Sequence, residues 1–192
     1  DGSSVYLHQV LQEGRGVGSH HALVCLNNAW EFTDAASLDT SLDFSPRLSF
    51  EAQHTETLQW QGVTLPHTWN ALDATSGITH HASDLDGTEV CWYHRGIGWY
   101  RAKLLIPGIL SRHTRLWLLV ERAAMHAKAY VNGKQVSEHK GGYTMFVTEL
   151  KTGGPSLHAS NVSLDVHLAI SNLHDANIVP SDKNDFVLFG GL

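Results

Sequence analysis

At 192 residues and 42% hydrophobic content, the chain has the size and composition of one globular domain. Its formal net charge is −6 with histidines neutral and no run of Lys or Arg occurs, which argues against nucleic acid and against an anionic membrane as partner. No apolar stretch approaches the roughly 20 residues of a membrane-spanning helix, and two cysteines, Cys25 and Cys91, are too few for a disulfide framework.

One bridge or two thiols fit those cysteines equally, so the compartment stays open. No signal-peptide pattern is visible, although a chain starting at Asp1 is compatible with a leader removed upstream. Asp1 to His21 is rich in Gly, Ser and polar residues and is expected to be a poorly ordered lead-in, with the domain occupying 22–192. Ala22 to Asn27 and Trp30 to Thr33 predict two short strands around an Asn27-Asn28 turn, and Thr33 to Arg47 reads as loop. Thr57 to Thr64 is expected to be extended, stopped by Leu65-Pro66. Pro66-His67-Thr68-Trp69-Asn70 with Asp73 is a polar, aromatic loop, and Ala74 to Glu89 an excursion of weak pattern.

The strand signal strengthens from Trp92. Tyr100, Ala102, Leu104 and Ile106 form one face against Arg101 and Lys103, and Pro107-Gly108 is a turn. Leu116, Leu118 and Val120 alternate with Trp117 and Leu119, which predicts a strand partly covered on both faces. Ala127, Ala129 and Val131 alternate with Lys128, Tyr130 and Asn132 as in a half-buried strand. Asn132-Gly133 supplies the positive-φ pair of a type I′ hairpin turn, and Gly141-Gly142 breaks the returning arm before Tyr143 to Phe146. Val162, Leu164, Val166, Leu168 and Ile170 against Ser163, Asp165, His167 and Ala169 is the cleanest strand pattern. No amphipathic helix of ten or more residues is evident, so the fold class is all-β, a sandwich or barrel.

Five stretches then occur in order: Leu65-Pro66-His67-Thr68-Trp69-Asn70 with Asp73; Arg95-Gly96-Ile97-Gly98-Trp99-Tyr100-Arg101; Tyr130-Val131-Asn132-Gly133-Lys134; His139-Lys140-Gly141-Gly142-Tyr143-Thr144 with Phe146; and Asp185-Phe186 leading to Phe189-Gly190-Gly191. Together they resemble the N-terminal domain of glycoside hydrolase family 2, the β-galactosidase and β-glucuronidase family, over roughly Leu26 to Leu192. The resemblance implies a jelly-roll sandwich of the galactose-binding-like type, packed on a catalytic (β/α)8 barrel that this chain lacks. It also implies a carbohydrate partner, a β-glycoside, at a site shared with that barrel, no cofactor, and a parent enzyme that could assemble as a homo-oligomer. The chain departs from the family at Glu121-Arg122-Ala123-Ala124 and at Ile178-Val179-Pro180, and it stops where the family continues, which reads as a fragment.

Retaining hydrolysis requires two carboxylates about 5–5.5 Å apart, and no such pair stands out here, so no catalytic residue is nominated. The resemblance places Asp185 at the barrel mouth, accepting hydrogen bonds from sugar hydroxyls or helping to hold a monovalent cation, and places Asn70 and Asp73 on a loop that approaches substrate. Against this stand a solvated loop aspartate and two turn-capping side chains. His139 and Lys140 fit an exposed strand, and Trp69, Trp92 and Trp99 fit the core or a domain interface better than a sugar-stacking platform. Fourteen histidines invite a metal, but the His20-His21 and His80-His81 neighbours point to opposite sides of an extended chain and no Cys/His spacing suits zinc, so no metal is expected. Gly14-Arg15-Gly16-Val17-Gly18 lacks the flanking strand and helix of a nucleotide loop, and no serine nucleophile motif is present. The leading expectation is an accessory domain of a β-galactosidase-like enzyme. The alternatives are a standalone carbohydrate-binding module and a structural interface domain.

Overall fold

A computed structural model describes residues 4–11, 20–34, 59–76, 80–81, 90–91, 93–106, 114–150, 162–173, 175–179 and 189–192. In chain order the strands are β1 (Val5–Leu11), β2 (His20–Cys25), β3 (Trp30–Asp34), β4 (Gln61–Val63), β5 (His80–His81), β6 (Val90–Cys91), β7 (Ile97–Ile106), β8 (Thr114–Val120), β9 (His126–Val131), β10 (Lys134–Lys140), β11 (Phe146–Leu150) and β12 (Val162–Ser171). The single helical element among the described residues is one turn, α1 (Asp73–Ser76), so none is long and apolar enough to cross a membrane. One sheet has the order β11-β8-β1-β2 and the other β10-β9-β12-β7-β3-β4, with β5-β6 apart. The pairings are antiparallel throughout, giving an all-β jelly-roll sandwich.

The period-two pattern explains the core directly. Leu164, Val166, Leu168 and Ile170 of β12 point between the sheets, as do Tyr100, Ala102 and Leu104 of β7. Leu116, Leu118 and Val120 of β8 meet them from the opposite sheet, with Val5 and Leu7 of β1. Burying each large aliphatic side chain of this set contributes about 1.5–3 kcal/mol. The hairpin turn is also as expected: Asn132 (φ 49°) and Gly133 (φ 76°) both take the left-handed backbone that joins Val131 to Lys134.

Two expectations change. The stretch 1–21, read as a lead-in, contains β1 and the start of β2, and β1 lies in register between β8 and β2. Among the described side chains of that strand Val5 and Leu7 enter the core, and its place in the sheet depends on neighbours that are distant in sequence. The two strands expected around the Asn27-Asn28 turn are present as β2 and β3. β2 ends in one sheet and β3 begins in the other, and the Ala29 amide closes the crossing turn on Leu26 O at 3.1 Å.

Finally, β9 is buried on both faces, with Lys128 and Tyr130 at 7% and 5% exposure. On the outer side of the six-stranded sheet, Tyr130, Ile97, Trp99 and Ala169 form a second apolar cluster, packed by Trp60 and Leu173. The outward face of β12 is therefore exposed at Ser163 and Asp165 but closed at His167 and Ala169. Cys25 is an exposed free thiol.

Val166→Asp should destabilise the domain by several kcal/mol, since it buries an unpaired charge at a position with 0% exposure. Ser163→Asp, on the exposed face, should be mild; equal losses in urea unfolding would mean the inner face is misassigned. Burial pushes the His167 imidazole down to about 4, with Asp165 opposing and Arg101 reinforcing the shift. A histidine kept neutral by folding contributes fully above its unfolded value near 6.5 and loses that contribution as pH falls through it. His167→Gln should therefore gain about 2 kcal/mol relative to wild type between pH 7 and pH 5. Parallel pH profiles for the two proteins would rule this out.

Candidate functional site

The register puts Ile97, Ser171, His126 and Lys140 side by side at one end of the six-stranded sheet. The loops that leave these strands meet there, together with 66–73 and 189–192. Described residues from four of the five sequence motifs thus converge at this end. The fifth, the Asn132-Gly133 turn, lies at the opposite end, where Val131 faces Val166.

The segment 94–96 is held from four directions. Asn70 and Asn172 each donate from Nδ2 to His94 O at 3.1 Å. The Gly96 amide donates to Asn172 Oδ1 at 2.8 Å, and the His94 amide donates to Asp73 Oδ2 at 2.7 Å. His94 Nε2 lies 3.0 Å from Asp34 Oδ2. That hydrogen bond raises the His94 pKa; burial opposes it, and the Asp34 and Asp73 charges reinforce it.

Asn70 also accepts the Gly190 amide on Oδ1 at 3.0 Å, so one side chain joins three loops. It has 0% exposure, and its hydrogen bonds brace these loops. Asp73 is half-buried and one of its oxygens is committed to His94. Asp185 lies outside the described residues, as does Trp92.

Residues 190–192 lie flat against the 67–69 loop. His67 and Leu192 exchange amide–carbonyl bonds of 2.8 and 3.0 Å, Trp69 N donates to Gly190 O at 3.1 Å, and Ala124 N donates to Gly191 O at 3.1 Å. The motif glycines follow from this close approach. A Cβ on Gly190 would overlap the Trp69 ring, and one on Gly191 the His67 carbonyl. On Gly98 it would stand 2.7 Å from both Phe32 and Trp69. Trp69 stacks on Phe32 with ring centroids 5.8 Å apart, so it packs the core's end rather than offering a face to a sugar. Trp99 is buried in the second cluster. Beneath the loop the Tyr100 hydroxyl lies 2.8 Å from His67 Nδ1; burial raises the phenol pKa and lowers that of the imidazole.

His139 stacks on Phe146 at 4.9 Å and contacts Thr144 Oγ1 at 2.9 Å. Lys140 Nζ lies 3.6 Å from Asp175 Oδ2. Among the described residues no group of three or more His, Cys, Asp or Glu is placed to hold a metal.

Around this frame runs an open groove of about 210 Å³, whose rim includes Pro66, Thr68, Arg122, Met125, Tyr143 and Phe189. Tyr143 and Phe189 are 59% and 48% exposed, and Tyr93 holds Phe189 edge-on at 5.3 Å. The described lining includes no side-chain carboxylate, so it can bind and orient but offers no acid/base pair. The sequence pointed to Tyr143 and Phe189 only as motif members. It marked Arg122 only as a departure from pattern, because nothing local shows which loop turns toward which.

Asn70→Ala should cost about 1–3 kcal/mol by leaving the Gly190 amide without its buried acceptor. Lys140→Ala, at an exposed pair, should change the thermal midpoint little. A neutral Asn70→Ala would remove the brace from the account.

No model of a known protein family matches the chain. A Formosa agariphila sequence named for β-glucuronidase activity is 34% identical over 137 residues, 69% of this chain and 14% of its own length. A β-glucuronidase of Bacteroides fragilis is 30% identical over 170 residues, covering 88% of this chain and 19% of the relative. The solved β-glucuronidase 3 of Bacteroides uniformis superposes with a TM-score of 0.58 at 25% identity, over 86% of this chain and 20% of that one. The chain spans less than a fifth of the length of the two curated relatives. The ordered motifs, the jelly-roll sandwich and these partial matches make the chain a homologue of the N-terminal domain of the β-glucuronidase and β-galactosidase enzymes of glycoside hydrolase family 2.

Proposed function

We propose that this chain is the accessory domain of a family 2 exo-glycosidase, packing on a catalytic barrel and supplying one wall of the sugar pocket. The observation that carries this reading is that three motif segments line one open groove at a single end of the sandwich, with a fourth, 95–101, braced at the same end. The relatives' names support a β-glycoside as the ligand of the whole protein. Because the described groove lining has no carboxylate pair, this reading assigns bond cleavage to the rest of such an enzyme.

In this proposal Asp185 touches sugar hydroxyls directly. Asp73 and Asn70 act at one remove, by fixing the loop that forms the wall. The parent enzyme, and not this domain alone, assembles as the homo-oligomer. One observation favours a second reading: the exposed rings of Tyr143 and Phe189 flank the groove as they would in a standalone carbohydrate-binding module.

The isolated chain should hydrolyse neither a chromogenic β-glucuronide nor a β-galactoside. In a full-length polypeptide carrying it, Asp185→Ala should lower kcat/KM roughly ten- to a hundredfold, the loss of one hydrogen bond to a charged group, with an unchanged thermal midpoint. Turnover by residues 1–192 alone, abolished by mutating one of their own carboxylates, would sink the proposal. Tight, saturable glycan binding by those residues, measured by calorimetry, would select the binding module.

A further inference from the structure

The groove has a charge of one sign. Arg122 is the charged side chain on its described rim, and burial lowers the pKa of the neighbouring His67, which favours its neutral form. Among the described residues no carboxylate pairs with Arg122. The adjacent Glu121 carboxylate turns away and accepts the Ser4 amide at 2.9 Å.

The backbone on both sides of Arg122 is pinned. Glu121 N donates to Ser4 O at 3.1 Å, Ala124 N to Gly191 O at 3.1 Å, and Met125 N to Ser171 O at 2.7 Å. Ala123 enters the core at 1% exposure, so its neighbour Arg122 is turned outward, toward the groove. A guanidinium on a fixed backbone loses less freedom on binding than one on a loose loop, and its planar fork suits an anion with two oxygens. The exposed rings of Tyr143 and Phe189 supply apolar surface for the C–H face of a sugar beside it.

We propose that Arg122 is a specificity-determining residue and that the groove takes an anionic sugar, its carboxylate or sulfate held by the guanidinium. The inference rests on the accessory-domain reading above and adds the substrate class to it. A neutral hexoside would leave the arginine without a partner on the ligand; a uronate or a sulfated sugar gives it one.

The test uses the full-length polypeptide that carries this domain. Its substrates are nitrophenyl β-glucuronide, nitrophenyl β-galactoside and the sulfated form of that galactoside. Arg122→Gln should raise KM for an anionic substrate roughly tenfold, the size of one charge-assisted bond left partly in water, with kcat nearly unchanged. The neutral galactoside should be unaffected, and added salt should raise the wild-type KM only for the anionic substrates. Whichever anionic substrate responds distinguishes carboxylate from sulfate, and Arg122→Lys, which keeps the charge and loses the fork, should fall between. Equal changes on neutral and anionic substrates, no change on any, or a lowered thermal midpoint that accounts for the loss would overturn the inference. So would a wild-type enzyme that accepts only the neutral galactoside. A wild-type enzyme that hydrolyses none of the three overturns the glycosidase reading itself, an outcome separable from a failure confined to Arg122.

Discussion

The indole of Trp69 occupies a slot that exists because Gly98 and Gly190 carry no side chains. Its ring stacks on Phe32, which in turn meets Tyr100 and His67 at centroid distances of 5.0 and 4.8 Å. An aromatic contact of this kind is worth about 0.5–1.5 kcal/mol beyond the area it buries. Its larger consequence is positional. With the ring seated, the 67–69 backbone runs beside 190–192 and exchanges hydrogen bonds with it, and Asn70 falls under both Gly190 and His94. The groove is thus the product of a packing constraint, and its hydrogen bonds lock a shape that the ring and two glycines make available.

Charge plays the smaller part. Burial is the first cause acting on His67, His126 and His167, and it lowers all three pKa values. His126 sits 2.7 Å from Glu138, yet its pKa is lowered, so at neutral pH that contact is a hydrogen bond donated by a neutral ring to the carboxylate rather than an ion pair. Among the described residues His94 is the one shifted histidine that follows its carboxylate. Its raised pKa favours folding below its unfolded value near 6.5 and loses that benefit as pH rises through the folded one, opposite in sign to the other three. Acid therefore tightens the brace at 94–96 while it loosens the sheet around His167. The Arg115–Glu149 pair lies largely in water and contributes little.

The same reasoning ranks the residues singled out in the chain. Asn70 and Asp73 were nominated for approaching a ligand, and the structure shows both spending hydrogen bonds on the protein itself. Arg122, singled out only for departing from pattern, is the one that faces the groove with its charge unmatched among the described residues. A polar residue on a loop is ambiguous in this way until its partners are known, because a turn cap, a brace and a ligand contact have the same composition.

The sequence alone determined whatever depends on near neighbours in the chain. Period-two alternation named the inner faces of β7, β8 and β12, Asn132-Gly133 named its turn, and the ordered motifs named the family. Tertiary structure decided the rest. β1 became a strand because β2 and β8 lie on either side of it, and β9 lost its exposed face to a cluster built with residues as distant as Trp60 and Leu173. Three distant motif segments became one groove when the sandwich closed. The physical reason is that alternation encodes which way a side chain points within its own strand, whereas burial of the second face and the meeting of loops depend on contacts across more than a hundred residues of chain.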